Sequence, residues 1–288
     1  MPPLNSKDKP FQKKSTLNCS GNILNLGTPQ VMGILNITPD SFYAGSRLSS
    51  IEEAVKRAEA MLTDGADILD VGGYSSRPGA VDISEQEEID RIAPAIEAIH
   101  NAFPEAILSI DTFRAKVAET AIAAGAAIIN DISGGNLDDS MYETVAKLQV
   151  PYILMHMRGT PQTMTTLAKY EDVVLEVIDE LQIKIAKLKQ LGVKDIILDP
   201  GFGFAKTIEH NFELLRRMDE LRILELPILA GLSRKSMVYK SLSIDQTDAL
   251  TGTIALNTIA LMKGADILRV HDVKEAKQTI QLYTKALL

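Results

Sequence analysis

Short apolar runs alternate along the chain with longer stretches in which apolar residues recur at helical spacing. The apolar runs carry hydrophobic side chains at consecutive positions, which is typical of strands buried on both faces of a parallel sheet. The longer stretches have one apolar face, which is typical of helices that cover such a sheet. The predicted strands are Val31–Leu35, Ala66–Val71, Ile107–Ile110, Ala127–Ile132, Tyr152–Met155, Asp195–Leu198, Pro227–Leu232 and Ala265–Val270. The clearest helical stretches are Ile51–Thr63, Glu85–Asn101, Arg114–Ala124, Glu171–Leu191 and Ala249–Met262.

Eight strands that alternate with helices over about 250 residues match the dimensions of an α/β protein of the (β/α)8 TIM-barrel type. Three segments support a repeated unit, because each places a glycine where a helix ends and then enters an apolar strand. They start at Gly65, Gly125 and Gly264 and continue as Ala-Asp-Ile-Leu, Ala-Ala-Ile-Ile and Ala-Asp-Ile-Leu. An open, doubly wound parallel sheet is the competing fold.

The segment before the first barrel strand has a different pattern. Residues 15–29 carry short alternating pieces separated by turn residues, which predicts a small N-terminal hairpin. We expect residues 1–15 to form a flexible N-terminal arm. Residues 16–288 are then expected to form a single barrel domain.

Composition limits the class of protein. The 288 residues are 45% hydrophobic and 24% charged, which is ordinary for a folded protein and excludes a low-complexity chain. The net charge of −8 argues against a nucleic-acid partner. No run approaches the roughly 18 to 20 apolar residues that span a bilayer, so we expect no membrane partner. The single cysteine, Cys19, permits no internal disulfide, and the polar N-terminus lacks the apolar core of a secretory signal. We therefore expect a cytoplasmic protein.

Polar or ionisable residues stand at or just after the end of nearly every predicted strand. One such residue is often only a cap for the next helix. In a barrel, however, the carboxyl ends of all strands meet at one mouth, where the active sites of this fold lie. A ring of polar strand ends therefore predicts an enzyme site. Its members are Asn36, Asp70, Asp111, Asn130, His156, Asp199, Ser233 with Lys235, and Arg269 with His271.

Several reaction types lack their sequence signature. Cys19 lies outside the barrel and no Gly-x-Ser-x-Gly elbow is present, so an acyl-enzyme mechanism has no nucleophile. The four histidines are scattered, which argues against a zinc hydrolase site. Gly201-Phe-Gly203 begins like a dinucleotide fingerprint, but Lys206 stands in place of the third glycine, which argues against a nicotinamide cofactor.

The remaining candidates for a functional site are hydrogen-bonding side chains and cations. Asp111, Asn130 and Asp199 could hold the edge of a flat polar heterocycle, because a carboxylate accepts two parallel N–H bonds. Asn36 offers a neutral oxygen that could complete Mg²⁺ coordination shared with a pyrophosphate. Cations in an acidic protein indicate an anionic group, and barrels often bind phosphate near their last two strands. These cations are Arg77, Lys235, Arg269 and His271. The residues thus suggest a heterocycle that carries a pyrophosphate leaving group.

The same segments resemble the sequence blocks of the dihydropteroate synthases, a pterin-binding TIM-barrel family. The blocks appear in family order and cover the chain from about residue 30 to residue 272. Together they are far more specific than any one alone. They are Leu35-Asn-Ile-Thr-Pro-Asp-Ser-Phe42, Gly65-Ala-Asp-Ile-Leu-Asp-Val-Gly-Gly73 followed by Ser-Ser-Arg-Pro-Gly79, Ser109-Ile-Asp-Thr112, Ile129-Asn-Asp-Ile-Ser-Gly134, Leu154-Met-His-Met157, Leu198-Asp-Pro-Gly-Phe-Gly-Phe204, Gly231-Leu-Ser-Arg-Lys235 and Arg269-Val-His-Asp272.

The resemblance implies a reaction and a set of roles. The family joins 6-hydroxymethyl-7,8-dihydropterin pyrophosphate to 4-aminobenzoate and releases pyrophosphate, in folate biosynthesis. It also implies Mg²⁺ as cofactor, with Asn36 as its protein ligand, a homodimer, and a loop-ordering role for Asp40. By similarity, the catalytic residues are Asp111, Lys235, Arg269 and Asn36, and the pterin contacts are Asp111, Asn130, Asp199, Lys235 and Met155. Pyrophosphate would meet Asn36, Arg77, Arg269 and His271, and aminobenzoate would meet Ser76, Arg77, Pro78, Phe204, Ser233 and Lys235.

The implied chemistry agrees with the residues present. An electron-rich dihydropterin ring can share the positive charge left on its methylene when pyrophosphate departs, with Asp111 stabilising that charge. Such a dissociative substitution needs no covalent nucleophile from the enzyme. The second loop departs from the family at Tyr74, where an acidic residue is common, and at Ser76, where threonine is common; this bears on loop closure more than on the reaction.

Two other functions stay open on the sequence. A pterin-binding methyltransferase would share the contacts of Asp111, Asn130 and Asp199 but would have little use for Arg77 and Arg269. A non-catalytic paralogue that binds pterin or a partner subunit would show lost catalytic positions, and we find none.

Overall fold

The predicted strands form one parallel sheet in the computed structural model, which describes residues 14–37, 47–74 and 82–287. The described strands are β1 Thr16–Cys19, β2 Asn22–Asn25, β3 Gln30–Asn36, β4 Ile68–Gly72, β5 Ile107–Asp111, β6 Ile128–Asp131, β7 Tyr152–Met155, β8 Ile196–Asp199, β9 Leu229–Ala230 and β10 Ile267–Val270. The described helices are α1 Arg47–Thr63, α2 Glu85–Ala102, α3 Ala115–Ala123, α4 Met141–Leu148, α5 Val173–Gln190, α6 Ile208–Arg216, α7 Ser236–Leu242, α8 Leu250–Met262 and α9 Val273–Leu287, with 3-10 helices at Met164–Leu167, Met218–Leu224 and Gln246–Asp248.

The eight-stranded sheet curls into a barrel. Its strands are hydrogen-bonded in the order β8-β7-β6-β5-β4-β3-β10-β9. A parallel bridge between Leu198 and Ile228, and a 2.8 Å hydrogen bond from the Leu198 amide to the carbonyl of Pro227, join the two outer strands. The TIM-barrel prediction is confirmed, and the open-sheet alternative is wrong. Among the described helices, none is long and apolar enough to cross a membrane.

The repeated glycine segments have one geometry. Gly65, Gly125 and Gly264 have φ values of +98°, +117° and +93°, which a side chain would strain. In each copy the residue after the glycine donates to a helix carbonyl five positions earlier, as in a Schellman ending. The glycine therefore ends the helix and turns the chain directly into the next buried strand.

Successive residues of each strand point alternately into the barrel and toward the helices. In β4 this alternation places Ile68, Asp70 and Gly72 on the inner face, with Leu69 and Val71 packed outward in the main core. The lower part of the barrel interior is apolar and includes Met32, Ile68, Ile128, Ile153, Ile197, Leu229 and Ile267. The upper part is polar, so the fold itself separates a stable floor from a chemical mouth.

The predicted N-terminal hairpin closes the floor. β1 and β2 pair in antiparallel fashion, and Leu17, Cys19, Leu24 and Leu26 are buried against the apolar floor of the barrel. The Asn18 amide donates to the Asp195 carboxylate at 3.3 Å, which fixes the hairpin to the start of β8. The expected arm 1–15 falls mostly outside the described residues and stays a prediction.

Candidate active site

An arginine and two carboxylates form the centre of the barrel mouth. Arg269, on β10, donates from Nε to Oδ2 of Asp70 and from Nη2 to Oδ2 of Asp111, both at 2.6 Å. Asn130 Nδ2 donates to the same Asp70 oxygen at 2.9 Å. Asp70 is fully buried, and its Oδ1 has no hydrogen-bond partner among the described residues. Four strands thus contribute to one hydrogen-bonded cluster that orients the exposed edges of Asp111 and Arg269.

Burial shifts the pKa values of this cluster. Burial raises the pKa of Asp111 to about 7. The charge of Arg269 opposes this shift, and the charge of Asp70 adds to it. Burial also raises the pKa of Asp199, against a hydrogen bond from the Gly201 amide. Burial lowers the pKa of Lys235 to about 8, although Asp199 opposes the shift. Asp111 and Lys235 therefore change charge near neutrality, as acid–base and binding groups of active sites often do.

A glycine leaves room between two of the predicted site residues. Asn36, Gly72 and Asp111 are aligned across β3, β4 and β5. A side chain at Gly72 would begin 3.5 Å from both the Asn36 Oδ1 and the Asp111 Cβ. The amide oxygen of Asn36 consequently shares the open space above Gly72 with the Asp111 carboxylate.

Lys235 lies on the other side of the mouth, over an aromatic ring. Its Nζ is 4.3 Å from the centre of the Phe204 ring, in a cation–π contact. Asp199 is its main charge partner, and Arg269 and Asp111 are also close enough to affect it. Among the residues that the structure describes, the cations of Arg269 and Lys235 thus lie close to three carboxylates, which belong to Asp70, Asp111 and Asp199.

A second hydrogen-bonded pair lies beside the ends of the last two strands. Ser233 Oγ is 3.0 Å from Nδ1 of His271, and the His271 amide donates to the same hydroxyl at 3.2 Å. Arg234, between Ser233 and Lys235, turns away from the mouth and forms a two-pronged ion pair with Asp272 at 2.9 and 2.8 Å. The Arg234–Asp272 ion pair fixes the segment that carries Ser233 and Lys235.

One wall of the mouth is apolar. Met155 is buried at the end of β7 and aligned with Asp199. It packs with Ile132, Met157, Met164 and Ala205, and with the partly buried Phe113, Leu137 and Phe204. A wall of thioether and aromatic groups beside hydrogen-bonding carboxylates suits a flat ring with polar edges.

Some predicted residues are elsewhere or are not described. Asp40, Ser76, Arg77 and Pro78 lie outside the described residues. His156 follows Met155 by one position and therefore points out of the barrel, to Glu180 on α5. Its place among the strand ends does not put it in the mouth.

The sequence and the fold match one family of enzymes. The profile of the family described as "Pterin binding enzyme" matches residues 32–271. The dihydropteroate synthase of Escherichia coli K12 is 44% identical over 268 residues, covering 92% of this chain and 94% of the relative. The chain belongs to the dihydropteroate synthase family.

Solved structures of other dihydropteroate synthases agree in fold. That of the Xanthomonas albilineans enzyme with 4-aminobenzoic acid has a TM-score of 0.87 at 37% identity, covering 94% of this chain and 98% of the other. The same enzyme with 7,8-dihydropteroate has a TM-score of 0.84 at 35% identity, again covering 94% and 98%. As a dihydropteroate synthase family member, the chain is a transferase.

Asp70 has a larger part in this synthase site than its sequence position indicated. The sequence marked it only as one polar strand end. The signal that could have singled it out is its spacing, because Asp70 is two residues from both Ile68 and Gly72 and so shares their inward face. A charge on the inner face of a closed barrel needs a partner, and Arg269 provides it.

Proposed function

We propose that this protein condenses 6-hydroxymethyl-7,8-dihydropterin pyrophosphate with 4-aminobenzoate to give 7,8-dihydropteroate and pyrophosphate, in folate biosynthesis. The observation that carries the proposal is the buried cluster of Asp70, Arg269, Asp111 and Asn130 at the mouth of the barrel. It presents acceptors for a pterin edge next to a cation for the pyrophosphate.

The pterin would lie with its polar edge toward Asp111, Asn130 and Asp199. The Gly201 amide already occupies Oδ1 of Asp199, which leaves the other carboxylate oxygen for an N–H group of the ring. Met155 would contact a ring face from the apolar wall. Lys235 would donate to a ring oxygen or nitrogen, and with Phe204 and Ser233 it would border the aminobenzoate.

The pyrophosphate would meet Arg269 and His271 at the last strand, with Arg77 as a further cation by family resemblance. When it binds, the pyrophosphate competes with Asp111 and Asp70 for the Arg269 guanidinium, because phosphate oxygens accept the same paired N–H bonds. Arg269 could therefore release Asp111 to the pterin as the leaving group arrives. Until then, the one guanidinium of Arg269 is paired with both carboxylates, those of Asp70 and Asp111.

The residues present fit a magnesium ion only if the substrate supplies most of its ligands. No cluster of three or more His, Cys, Asp or Glu side chains suited to a metal occurs in the described ranges. Asn36 offers one neutral oxygen at the mouth, and Mg²⁺ commonly takes one or two protein ligands, phosphate oxygens and waters. When bound, the ion would neutralise charge on the departing pyrophosphate.

The reaction breaks the bond between the methylene carbon and the pyrophosphate oxygen and forms a bond from that carbon to the amine nitrogen. The electron pair of the broken bond leaves with pyrophosphate, and the nitrogen then loses one proton to solvent. Positive charge spreads from the methylene into the pterin ring before the amine attacks. Asp111, ionised and buried beside the ring, would stabilise that charge while Arg269 stabilises the leaving group.

Pyrophosphate release tests the proposal directly. The purified protein with Mg²⁺ and dihydropterin pyrophosphate should release pyrophosphate only when 4-aminobenzoate is present, with dihydropteroate detected by mass spectrometry. Pterin binding without amine-dependent release would instead support a methyltransferase or a non-catalytic binder. If the protein does not bind the dihydropterin pyrophosphate at all, the proposal is wrong.

The dependence of kcat/KM on pH is expected to be bell-shaped. Asp111 must be ionised to stabilise the positive charge on the pterin ring, so kcat/KM for the dihydropterin pyrophosphate should fall as pH drops below about 7. Lys235 must be protonated to donate, so it should also fall above about pH 8. Lys235→Arg, which stays charged, should remove the alkaline limb while the acid limb remains. A wild-type profile that is flat from about pH 6 to about pH 9 would contradict these assignments.

We also propose a homodimer formed through α8, working in the cytoplasm. This helix is apolar on nearly all sides, and its exposed positions Thr251, Ala255, Ile259 and Met262 form one stripe at helical spacing. Ile259 is 40% exposed and Met262 is 63% exposed. A helix that is hydrophobic all round is normally buried, and a second copy of the chain would bury the outer stripe.

The double variant Ile259→Glu/Met262→Glu is expected to sediment as a monomer where the wild type sediments as a dimer, because two charges would have to be buried in the interface. Sedimentation velocity measures the change. Ile183→Glu, at a 61% exposed position on α5, is the matched control and should stay dimeric. A wild-type monomer, or a dimeric double variant, would count against this interface.

A further inference from the structure

Lys206 uses all three of its N–H bonds beneath the loop between β8 and α6. Its Nζ is 3.1 Å from the carbonyl oxygen of Gly201 and 3.1 Å from that of Phe204, both in this loop. It is also 3.0 Å from Nδ1 of His156. Burial lowers the pKa of Lys206 to about 7, although the charges of Asp199 and Glu180 oppose the shift. In the ammonium form the side chain has three donors and no acceptor, so these three contacts satisfy it. The Lys206 side chain therefore links two carbonyl groups of the loop to His156, at the end of β7.

His156 is oriented to receive this bond. Its ring is 1% exposed, and its Nε2 is 3.0 Å from Oε2 of Glu180. A carboxylate can only accept, so Nε2 carries the proton and the Nδ1 lone pair faces Lys206. Burial and the charge of Lys206 lower the pKa of His156 to about 4, so the ring is neutral near pH 7.

Glu180, on α5, is held in turn by Arg158, from the segment that follows β7. Arg158 donates to its Oε1 from Nε at 2.9 Å and from Nη2 at 2.5 Å. The Arg158 guanidinium lies 4.0 Å from the centre of the Tyr170 ring. Burial raises the pKa of Glu180, but the hydrogen bonds from His156 and Arg158 outweigh it and lower the pKa to about 2. The carboxylate therefore stays ionised near neutral pH.

The opposite side of the same loop lies in the active site. Phe204 places its ring beneath the Lys235 ammonium, and it packs with Ala205 in the apolar wall. Gly203 lies so close to the Lys235 stem that a Cβ there would be 3.2 Å from Cδ. A small displacement of the loop would thus move Phe204 and change the space beside Lys235.

We infer that Lys206, anchored by His156 and Glu180, is a positioning residue that holds Phe204 in place for the aromatic amine substrate. The inference rests on the proposed function. Lys206 acts through the loop, because its three donors are all used by protein acceptors. Two of the three proposed pterin contacts, Asp111 and Asn130, lie on β5 and β6 and do not contact this loop. The third, Asp199, accepts from the Gly201 amide at the start of the loop, whereas Phe204, further along, borders only the amine. Loss of the anchor should therefore affect the amine more than the pterin.

Two substitutions of His156 separate its two hydrogen bonds. In His156→Asn the side-chain oxygen can take the place of Nδ1 and still accept from Lys206, whereas the bond to Glu180 is lost. In His156→Gln the side-chain nitrogen can take the place of Nε2 and still donate to Glu180, whereas the acceptor for Lys206 is lost. The two variants are matched in lacking the ring, so a general effect of losing histidine is common to both.

We expect His156→Gln and Lys206→Met to raise KM for 4-aminobenzoate about tenfold, with the dissociation constant of the dihydropterin pyrophosphate changed less than about twofold. His156→Asn should keep the KM within about threefold of the wild type. Steady-state kinetics and isothermal titration calorimetry give the two quantities, and thermal melts report folding separately. A purely structural role would lower the melting temperature and the active fraction without raising this KM.

The possible outcomes are distinct. If the wild type itself shows no amine-dependent pyrophosphate release, the proposed function fails. If the wild type is active and the Asn and Gln variants have the same KM for the amine, the positioning role of Lys206 is wrong. It is also wrong if Lys206→Met weakens pterin binding as much as it raises the KM for the amine. Should Lys206→Met fail to fold, the matched pair at His156 still decides the question.

Discussion

Asp111→Asn is expected to lower kcat about 10² to 10³-fold, while the dissociation constant of the dihydropterin pyrophosphate changes only a few-fold. The amide retains an oxygen to accept a pterin N–H but has no charge to stabilise the cationic ring. Arg269 keeps its 2.6 Å bond to Asp70, so the guanidinium stays in the mouth. Single-turnover kinetics and calorimetric binding measure the two effects separately.

Asp199→Asn is the matched control on the opposite side of the mouth. Asp199 accepts from the Gly201 amide and has Lys235 as a charge partner, which suits it to hold the pterin edge. This variant should weaken pterin binding at least as much as it lowers kcat, because the contact proposed for this carboxylate is made in both the ground and transition states. Equal losses of binding and turnover in Asp111→Asn would reject the charge-stabilising role.

Arg114→Met is expected to lower the free energy of unfolding by about 3 to 5 kcal/mol, because it removes the partner of a buried carboxylate. Arg114 Nη1 donates to Glu88 Oε2 at 2.7 Å, and the Glu88 side chain is fully buried. The guanidinium also contacts the rings of Tyr74 and Phe113 and donates to the carbonyl of Ile83 at 2.7 Å. Equilibrium unfolding in urea, with a folded baseline, gives the loss.

A second variant separates charge from packing. Glu88→Gln/Arg114→Met replaces the buried carboxylate by a neutral amide, so no unpaired charge remains. We expect this double variant to recover at least half of the stability lost in Arg114→Met. If both variants are equally destabilised, the packing of Arg114 on Tyr74 and Phe113 accounts for the loss, and the ion pair contributes little.

The fold could be predicted well from the sequence because strand positions depend on local patterns. The eight apolar runs overlap β3 to β10, with ends that differ by a few residues. The glycine-led repeats gave the connection between helix and strand, since a left-handed residue is needed there. The hairpin could be predicted for the same reason, from turn residues that lie close together in the chain.

The site could be predicted only in part, because a strand that is apolar on both faces does not show which polar residue points inward. In β6, Asn130 points to Asp70, whereas Asp131 points outward and accepts from the Tyr152 hydroxyl at 2.7 Å. Either could have been the site residue on sequence pattern alone. The contact of Arg269 with Asp70 joins positions 199 residues apart, which only the closed barrel brings together.

The contacts of His156 and Lys206 could not be predicted from the sequence either. A histidine after a strand has the features of a catalytic base, but here it faces α5 and holds a loop. Lys206 was noted only as a residue that breaks a glycine pattern. Its three acceptors are carbonyl and ring atoms that no motif records, so its contacts appear only in three dimensions.

The hairpin under the barrel contains a buried thiol that can report how often this end of the barrel opens. Cys19 is the only thiol of the chain, and it is buried where the hairpin meets the apolar floor. The side chain is 1% exposed and burial raises the pKa of its thiol to about 12, so we expect a thiol reagent to react only when the hairpin opens. The rate of Cys19 alkylation therefore times the opening of the lower end of the barrel in the unmodified protein, independently of events at the mouth.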